Sequence, residues 1–126
     1  MDTAEVEYVA SESYQGSTVI TTTRGAGNMA IEVHVRGRIE SGRLADFHDA
    51  VKRYQEYADA NGYAVARVLL GLAGPMNSVR LVYHYPDLNA YAAHEVRTLT
   101  DREYAEIAQQ MGFVDGSLHY EIFHVV

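Results

Sequence analysis

The chain has 126 residues, 48% of them hydrophobic, which predicts one globular domain with a modest core and excludes a disordered chain. Its formal net charge is −7 and its basic residues do not cluster, so nucleic acid and anionic membranes are excluded as partners. It has no cysteine, no apolar run long enough to span a membrane and no secretion-signal pattern, which excludes disulfides and thiolate chemistry and predicts a cytoplasmic protein.

Residues 1–28 are predicted to form an N-terminal extension outside the main domain. Residues 6–9 and 18–23 have the β-branched and aromatic composition of strands, and residues 15–17 give a turn signal between them. The pattern fits either a hairpin or strands that order only in the assembled protein. A glycine-rich stretch that ends the extension is interpreted as a linker, which leaves residues 29–126 as one domain.

Four strands are predicted in this domain, at residues 29–39, 63–70, 78–85 and 117–126. Each alternates apolar and polar side chains, which is typical of a strand with one buried face. Between the first two strands, residues 41–61 predict a helix, because apolar side chains recur there at intervals of three and four. That apolar stripe consists of Leu44, Phe47, Val51, Tyr54 and Ala58.

Two further helical segments are predicted between the third and fourth strands. Asp87 follows the proline that ends the third strand, so it is expected to cap a short helix. Thr100 and Glu103 have the spacing of a capping box, with Thr100 as the cap. Tyr104 and Met111 then follow at helical spacing, which predicts a second helix.

The order of these elements predicts an α+β, ferredoxin-like βαββαβ fold, with a four-stranded antiparallel sheet and the helices on one face. The helices are expected to cover Tyr83, Leu118 and Tyr120, among other side chains of that face. The opposite face mixes charged and apolar side chains, and it is too apolar to be left bare. We therefore expect a second copy to cover it, so that two chains form a homodimeric α/β barrel.

The sequence resembles the dimeric α/β-barrel superfamily and, within it, the NIPSNAP-like family. The resemblance covers roughly residues 29–126 and depends on the sequence G-P-M-N at 74–77, Y-H-Y-P-D-L at 83–88 and L-T-D-R-E-Y at 99–104. This chain departs from the family pattern at three positions, where leucine, proline and tryptophan are usual: Met76, Arg102 and Tyr104. The superfamily includes small monooxygenases, polyketide cyclases, lactone isomerases and haem-binding enzymes, so the fold alone does not choose a function.

A first candidate site lies between the helices and the sheet. His48 is expected to lie half-buried at the margin of the apolar stripe, where it can act as a catalytic residue together with Tyr83 and Tyr120. Tyr54 and Tyr91 are predicted to bind the ligand there. Tyrosine hydroxyls and one imidazole can hold and deprotonate an enolisable or phenolic molecule. The alternative is a tyrosine-rich core with His48 at the surface.

A second candidate site lies on the opposite face of the sheet. Four side chains there are predicted to bind an anion or to act as acid and base: His34, Arg67, Arg80 and His84. The alternative is that the glutamates of this face pair with the arginines across the dimer interface.

No metal and no cofactor is predicted. The histidines of the opposite face, including His119, come from separate strands without the dense spacing of metal ligands. Haem ligation by an inward histidine such as His94 stays open, although no local haem motif supports it. Serine hydrolysis has no support, since the chain lacks a G-x-S-x-G elbow.

The resemblance, more than any single motif, implies a small cytoplasmic homodimer that binds a hydrophobic, aromatic or polyketide-like molecule. It implies a cofactor-independent cyclase, isomerase or monooxygenase of specialised metabolism, such as antibiotic biosynthesis. The alternative is a non-catalytic binding or interaction protein of the NIPSNAP type.

Overall fold

The computed structural model describes residues 6–11, 17–22 and 29–126. Strands β1 (Val6–Ser11) and β2 (Ser17–Thr22) pair antiparallel in a two-stranded sheet. This is the hairpin pairing that the sequence left as one of two alternatives. The predicted linker lies outside the described residues, and the division of the chain after residue 28 stays a prediction.

Residues 29–126 form a four-stranded antiparallel sheet in the order β4-β5-β3-β6, with three helices. This arrangement confirms the predicted α+β, ferredoxin-like fold. In chain order the elements are β3 (Ile31–Arg38), α1 (Leu44–Ala60), β4 (Arg67–Leu70), β5 (Ser78–Tyr85), α2 (Leu88–Leu99), α3 (Arg102–Gln109) and β6 (His119–His124). In the part of the chain that the structure describes, no helix is long and apolar enough to cross a membrane.

The core is built on the two central strands. Alternate residues of β3 and β5 point inward and are buried, as their sequence period predicts. Helix α1 lays its apolar stripe on them, and its buried residues are Phe47, Ala50, Val51, Tyr54 and Ala58. The apolar stripe of α1 and the inward residues of the strands form one core. The helices therefore pack on one face of the sheet and leave the other face to solvent or to a partner.

Two predicted elements are shorter in the structure. Helix α1 begins at Leu44 rather than at residue 41, because Gly42 adopts a left-handed backbone with φ of +82° that a helix cannot continue. Strand β4 begins at Arg67 rather than at residue 63. Tyr63 is instead held at the end of α1, where its N–H donates to the Ala58 carbonyl at 2.9 Å.

The caps of the later helices are partly as predicted. Asp87 caps α2, since its Oδ1 accepts the N–H of Ala90 at 2.7 Å. The prediction that Thr100 caps α3 is wrong, because the cap is Asp101, whose Oδ1 accepts the N–H of Tyr104 at 3.0 Å. Thr100 ends α2 instead, and its hydroxyl is directed back to the carbonyls of that helix.

The prediction that the helices cover Leu118 and Tyr120 is also wrong. These side chains are 43% and 60% exposed, although Tyr120 pairs with Val35 and so belongs to the inward face. The reason is that β6 is the outermost strand on its side of the sheet, beyond the buried strands β3 and β5. The space under the helices therefore opens towards β6.

Candidate functional site

A cavity of about 310 Å³ lies between the sheet and the helices α2 and α3. Its lining is mostly apolar and aromatic with a few polar groups, which is the usual composition of a small-molecule site. Helix α2 contributes His94 and Glu95 to the wall. We call this space the tyrosine cavity, after the tyrosines that line it: Tyr54, Tyr83, Tyr85, Tyr91, Tyr104 and Tyr120.

Three tyrosine hydroxyls meet in the wall of the tyrosine cavity. The Tyr54 hydroxyl contacts the hydroxyl of Tyr83 and lies 2.5 Å from the hydroxyl of Tyr104. The hydroxyls of Tyr83 and Tyr104 also interact with each other, so the three groups form one hydrogen-bonded cluster in the wall. Burial raises the pKa of Tyr54 and of Tyr83 well above the ordinary value, so both stay protonated at neutral pH. The cluster therefore donates hydrogen bonds rather than acting as a base.

His94 is the buried imidazole of the tyrosine cavity, with an exposed fraction of 8%. Its Nδ1 lies 3.0 Å from the Tyr85 hydroxyl oxygen. Its Nε2 is buried and has no hydrogen-bond partner among the residues described. Burial, assisted by the charge of Arg97, lowers the pKa of His94, so the ring is neutral at pH 7 and able to accept a proton. An unpartnered buried nitrogen is costly to keep, and such groups mark functional sites.

Glu95 places a carboxylate in the wall beside His94. After burial, the charge of Glu95 is the next cause that raises the pKa of Tyr85 and of Tyr91. The tyrosine cavity thus combines hydroxyl donors, a neutral imidazole and a carboxylate.

His94 and Glu95 were not among the residues predicted for this site. His94 was named only as an open haem ligand, and Glu95 had no predicted role. The signal was nonetheless present, because Leu88, Tyr91 and Glu95 follow one another at intervals of three and four, and His94 lies three residues after Tyr91. The same stripe argument that was applied to α1 would have placed both residues on the inner face of α2.

The structure brings together four of the predicted residues of the first site. Tyr54, Tyr83, Tyr91 and Tyr120 all line the tyrosine cavity. His48 does not line it and is exposed on α1, so the expectation of a half-buried imidazole is wrong. The reason is that the stripe of α1 is narrow, and residues at its margin remain in solvent. The catalytic role of His48 stays a prediction, without support from the cavity.

The predicted residues of the opposite face form an ionic network rather than an open anion site. Arg80 Nη1 donates to His34 Nδ1 at 2.8 Å, and His34 Nε2 lies 2.6 Å from Glu32 Oε1. Because arginine can only donate, His34 Nδ1 must accept and its Nε2 carries the hydrogen. The hydrogen bond from His34 is the main reason that the pKa of Glu32 is lowered.

Two more ion pairs extend this ionic network along the sheet. His84 Nδ1 lies 3.4 Å from Glu32 Oε2, and Arg80 lies 3.3 Å from Glu121. Arg67 is exposed at the edge and contributes its charge to the lowered pKa of Glu32. The glutamates therefore pair with basic groups within one chain, whereas the sequence placed such pairs across a dimer. The use of these residues to bind a ligand stays a prediction.

Asp101 accepts hydrogen bonds from two tyrosines. We therefore expect the stability of the fold to decrease at acid pH. The hydroxyls of Tyr63 and Tyr57 donate to Asp101 Oδ2 at 2.6 and 2.8 Å. These bonds lower the pKa of Asp101, whereas the bond to Asp101 raises the pKa of Tyr57 to about 12. A depressed carboxyl pKa stabilises the fold above the unfolded value of about 4, and this stabilisation is lost as the pH falls further.

Urea unfolding of Asp101→Asn should therefore depend less steeply on pH below about pH 4 than unfolding of the unmodified chain. Asp59→Asn, on the exposed side of α1, is the matched control and should keep the full slope. Equal slopes for the chain and Asp101→Asn would contradict the anchoring role.

The sequence matches no family model and no curated protein. Solved structures share its fold. A NIPSNAP family protein from Agrobacterium tumefaciens is 16% identical with a TM-score of 0.63, over 79% of this chain and 88% of that protein. A NIPSNAP-like domain protein from Burkholderia xenovorans is 17% identical with a TM-score of 0.63, over 79% and 87%. A Caulobacter crescentus protein assigned as an antibiotic biosynthesis monooxygenase is 14% identical with a TM-score of 0.63, over 80% and 93%.

These likenesses define the class of the protein by its fold, which is the ferredoxin-like fold shared by the NIPSNAP proteins and the antibiotic biosynthesis monooxygenase. The NIPSNAP-like resemblance predicted from the sequence is confirmed at this level. At such low identity the likeness is one of fold, and the function has to be argued from the site.

Proposed function

We propose that the protein binds a hydrophobic, aromatic or polyketide-like molecule in the tyrosine cavity and converts it as a cyclase, isomerase or monooxygenase, without a cofactor. The observation that carries this proposal is the neutral, buried His94 with an unpartnered Nε2 among the residues described, set beside protonated tyrosines. A neutral imidazole can take a proton from a phenol or an enolisable carbon. A fixed tyrosine hydroxyl can then donate to the oxyanion that develops.

The contact between His94 and Tyr85 is compatible with the form of the imidazole that this chemistry needs, since either the ring nitrogen or the hydroxyl can donate. When Nδ1–H donates to the Tyr85 oxygen, Nε2 carries the lone pair and serves as the base. The phenolate or enolate formed in the cavity is the reactive species common to ring closure, double-bond migration and reaction with dioxygen. The fold-level likeness to a protein assigned as an antibiotic biosynthesis monooxygenase supports this choice of chemistry.

The proposal includes a cytoplasmic homodimer in which a second copy covers the sheet face opposite the helices. Two apolar side chains on that face, Leu69 and Phe123, are 41% and 43% exposed beside the ionic network. Exposed apolar groups of this kind, rimmed by charges, are typical of an interface between protein chains. Both signs of charge are present on the face, so a two-fold related copy can be complementary to it.

A second candidate function, binding without turnover, is favoured by one observation. The tyrosines that line the cavity have raised pKa values, chiefly because they are buried, so they hold a ligand without exchanging protons with it. In that case His94 would accept a hydrogen bond from the ligand and nothing more. This is the NIPSNAP-type binding protein that the resemblance left as an alternative.

We expect the freshly purified protein to retain an aromatic small molecule in native mass spectrometry, and the emptied protein to bind 1-naphthol in calorimetry. Tyr54→Phe should weaken 1-naphthol binding by up to about tenfold, because the hydroxyl at the centre of the donor cluster is lost. His48→Ala, outside the cavity, is the control and should bind as the unmodified chain does. Failure to retain or bind any aromatic molecule would contradict the proposal.

A further inference from the structure

A second cavity, of about 320 Å³, shares two wall residues, Tyr85 and His94, with the tyrosine cavity. The hydrogen-bonded pair of Tyr85 and His94 therefore forms the partition between the two cavities. Half of the remaining wall is glycine and alanine, and the other half is Tyr63, His84, Pro86 and Arg97. We call this space the Arg97 cavity. None of its residues has a role in the proposed chemistry except the shared pair.

Arg97 is held in a defined position at this cavity. Its guanidinium carbon lies 4.5 Å from the centre of the Tyr63 ring, and its Nη2 donates to the Asn61 carbonyl at 2.9 Å. Tyr63 is itself fixed, because its hydroxyl donates to Asp101 at 2.6 Å. A guanidinium has five N–H groups, and a planar group that is already fixed by stacking loses little freedom when the others bind an oxyanion.

The two cavities differ in charge. The tyrosine cavity has the carboxylate of Glu95 in its wall, whereas the Arg97 cavity combines a guanidinium with the imidazoles of His84 and His94. Among the residues that the structure describes, the wall of the Arg97 cavity contains no carboxylate. Glu32 lies behind His84, at 3.4 Å from its Nδ1. This is a local concentration of basic groups in a chain whose net charge is −7.

We propose that the Arg97 cavity is an oxyanion site that binds a carboxylate or a phosphate beside His94. It adjoins the site of the proposed function and shares Tyr85 and His94 with it, and its occupancy can be measured whether or not the protein turns over a substrate. Because the charge of Arg97 helps to lower the pKa of His94, an anion that offsets this charge would make His94 easier to protonate. The anion would thus set the basicity of the group in the neighbouring cavity.

The test is an amide NMR titration at low ionic strength with inorganic phosphate, with benzoate and with the neutral 1-naphthol. We expect the two anions to shift the signals of residues 62–64, 84, 85 and 97. Arg97→Gln should weaken anion binding about tenfold, because a charge-assisted bidentate contact is lost. Arg97→Lys should restore part of the affinity. Arg102→Gln, at the exposed start of α3, is the matched control and should bind both anions as the unmodified chain does.

The two anions distinguish the sources of the bound group. Benzoate that binds more tightly than phosphate and competes with 1-naphthol assigns the anion to an acidic aromatic ligand. Phosphate that binds without competing assigns the site to a separate small anion. Equal binding by Arg97→Gln and the unmodified chain would overturn the proposal, as would equal losses in Arg97→Gln and Arg102→Gln. Binding of 1-naphthol is followed separately. If no anion binds, the proposed function of the tyrosine cavity still stands, and if 1-naphthol does not bind, the proposed anion site still stands.

Discussion

His94→Phe is expected to slow turnover of the retained ligand about 10²–10⁴-fold, which is the usual contribution of a general base. The fold should survive this change. The Tyr85 hydroxyl loses its partner at a cost of about 1–3 kcal/mol, but removing a buried nitrogen that has no partner in the described chain recovers a similar amount. Consumption of the ligand by chromatography and the midpoint of urea unfolding, measured on one preparation, separate the effect on rate from the effect on stability.

His48→Ala is the control for this prediction and also the test of the residue that the sequence favoured. His48 is exposed on α1, so its loss should change stability by less than about 1 kcal/mol and leave turnover unchanged. If His48→Ala slowed turnover about 10²–10⁴-fold and His94→Phe did not, the assignment of the base to His94 would be wrong. Full turnover in both variants would assign the base to another residue, whereas no turnover by the unmodified chain would leave binding without catalysis as the function.

Arg80→Ala is expected to destabilise the dimer by up to about 3–5 kcal/mol, since it removes from a covered interface the arginine that contacts both Glu121 and His34 and leaves Glu121 with Arg36 alone. In one isolated chain the pair is half open, with Arg80 and Glu121 side chains 37% and 38% exposed, and the same change would cost only about 0–1 kcal/mol. The size of the effect therefore reports whether a second copy covers the ionic network.

Sedimentation at micromolar concentration gives the corresponding masses. The unmodified chain should sediment at twice the mass of one chain, and Arg80→Ala should shift towards the monomer. Arg53→Ala, on α1 at the helix side of the sheet, is the matched arginine control and should remain dimeric. If the unmodified chain sediments as a monomer, the proposed dimeric barrel is wrong. A dimer that tolerates Arg80→Ala would place the interface on another face.

The alternation of apolar and polar residues was sufficient to predict the two central strands of the sheet. Strands β3 and β5 have neighbours on both sides and a core on one face, so their inward and outward residues follow directly from alternation. The exposure of Tyr120 could not be predicted in this way. It depends on β6 being the outermost strand, and the order of strands in a sheet is decided by contacts between distant segments rather than by local period.

The choice between two histidines shows the same limit at the site. His48 lies beside the apolar stripe of α1, and His94 lies three residues after Tyr91 on α2. From the spacing of residues alone, either histidine could lie on the inner face of its helix. The two histidines differ in burial. Helix α2 places His94 against the rings of Tyr63 and Tyr85, whereas the side of α1 that bears His48 faces solvent. The cavity is formed by several elements together, and no single helix pattern contains that information.

The alternation of β5 makes the length of this strand critical. Tyr83 and Tyr85 face the tyrosine cavity, while Arg80 and His84 belong to the ionic network on the other side. Inserting or deleting one residue within β5 would exchange these two sets, driving charges into the core and tyrosines out of it. The preceding turn has no such constraint, since Leu72 and Met76 are 98% and 83% exposed. The gene can therefore change in length at that turn, whereas β5 can change only by substitution.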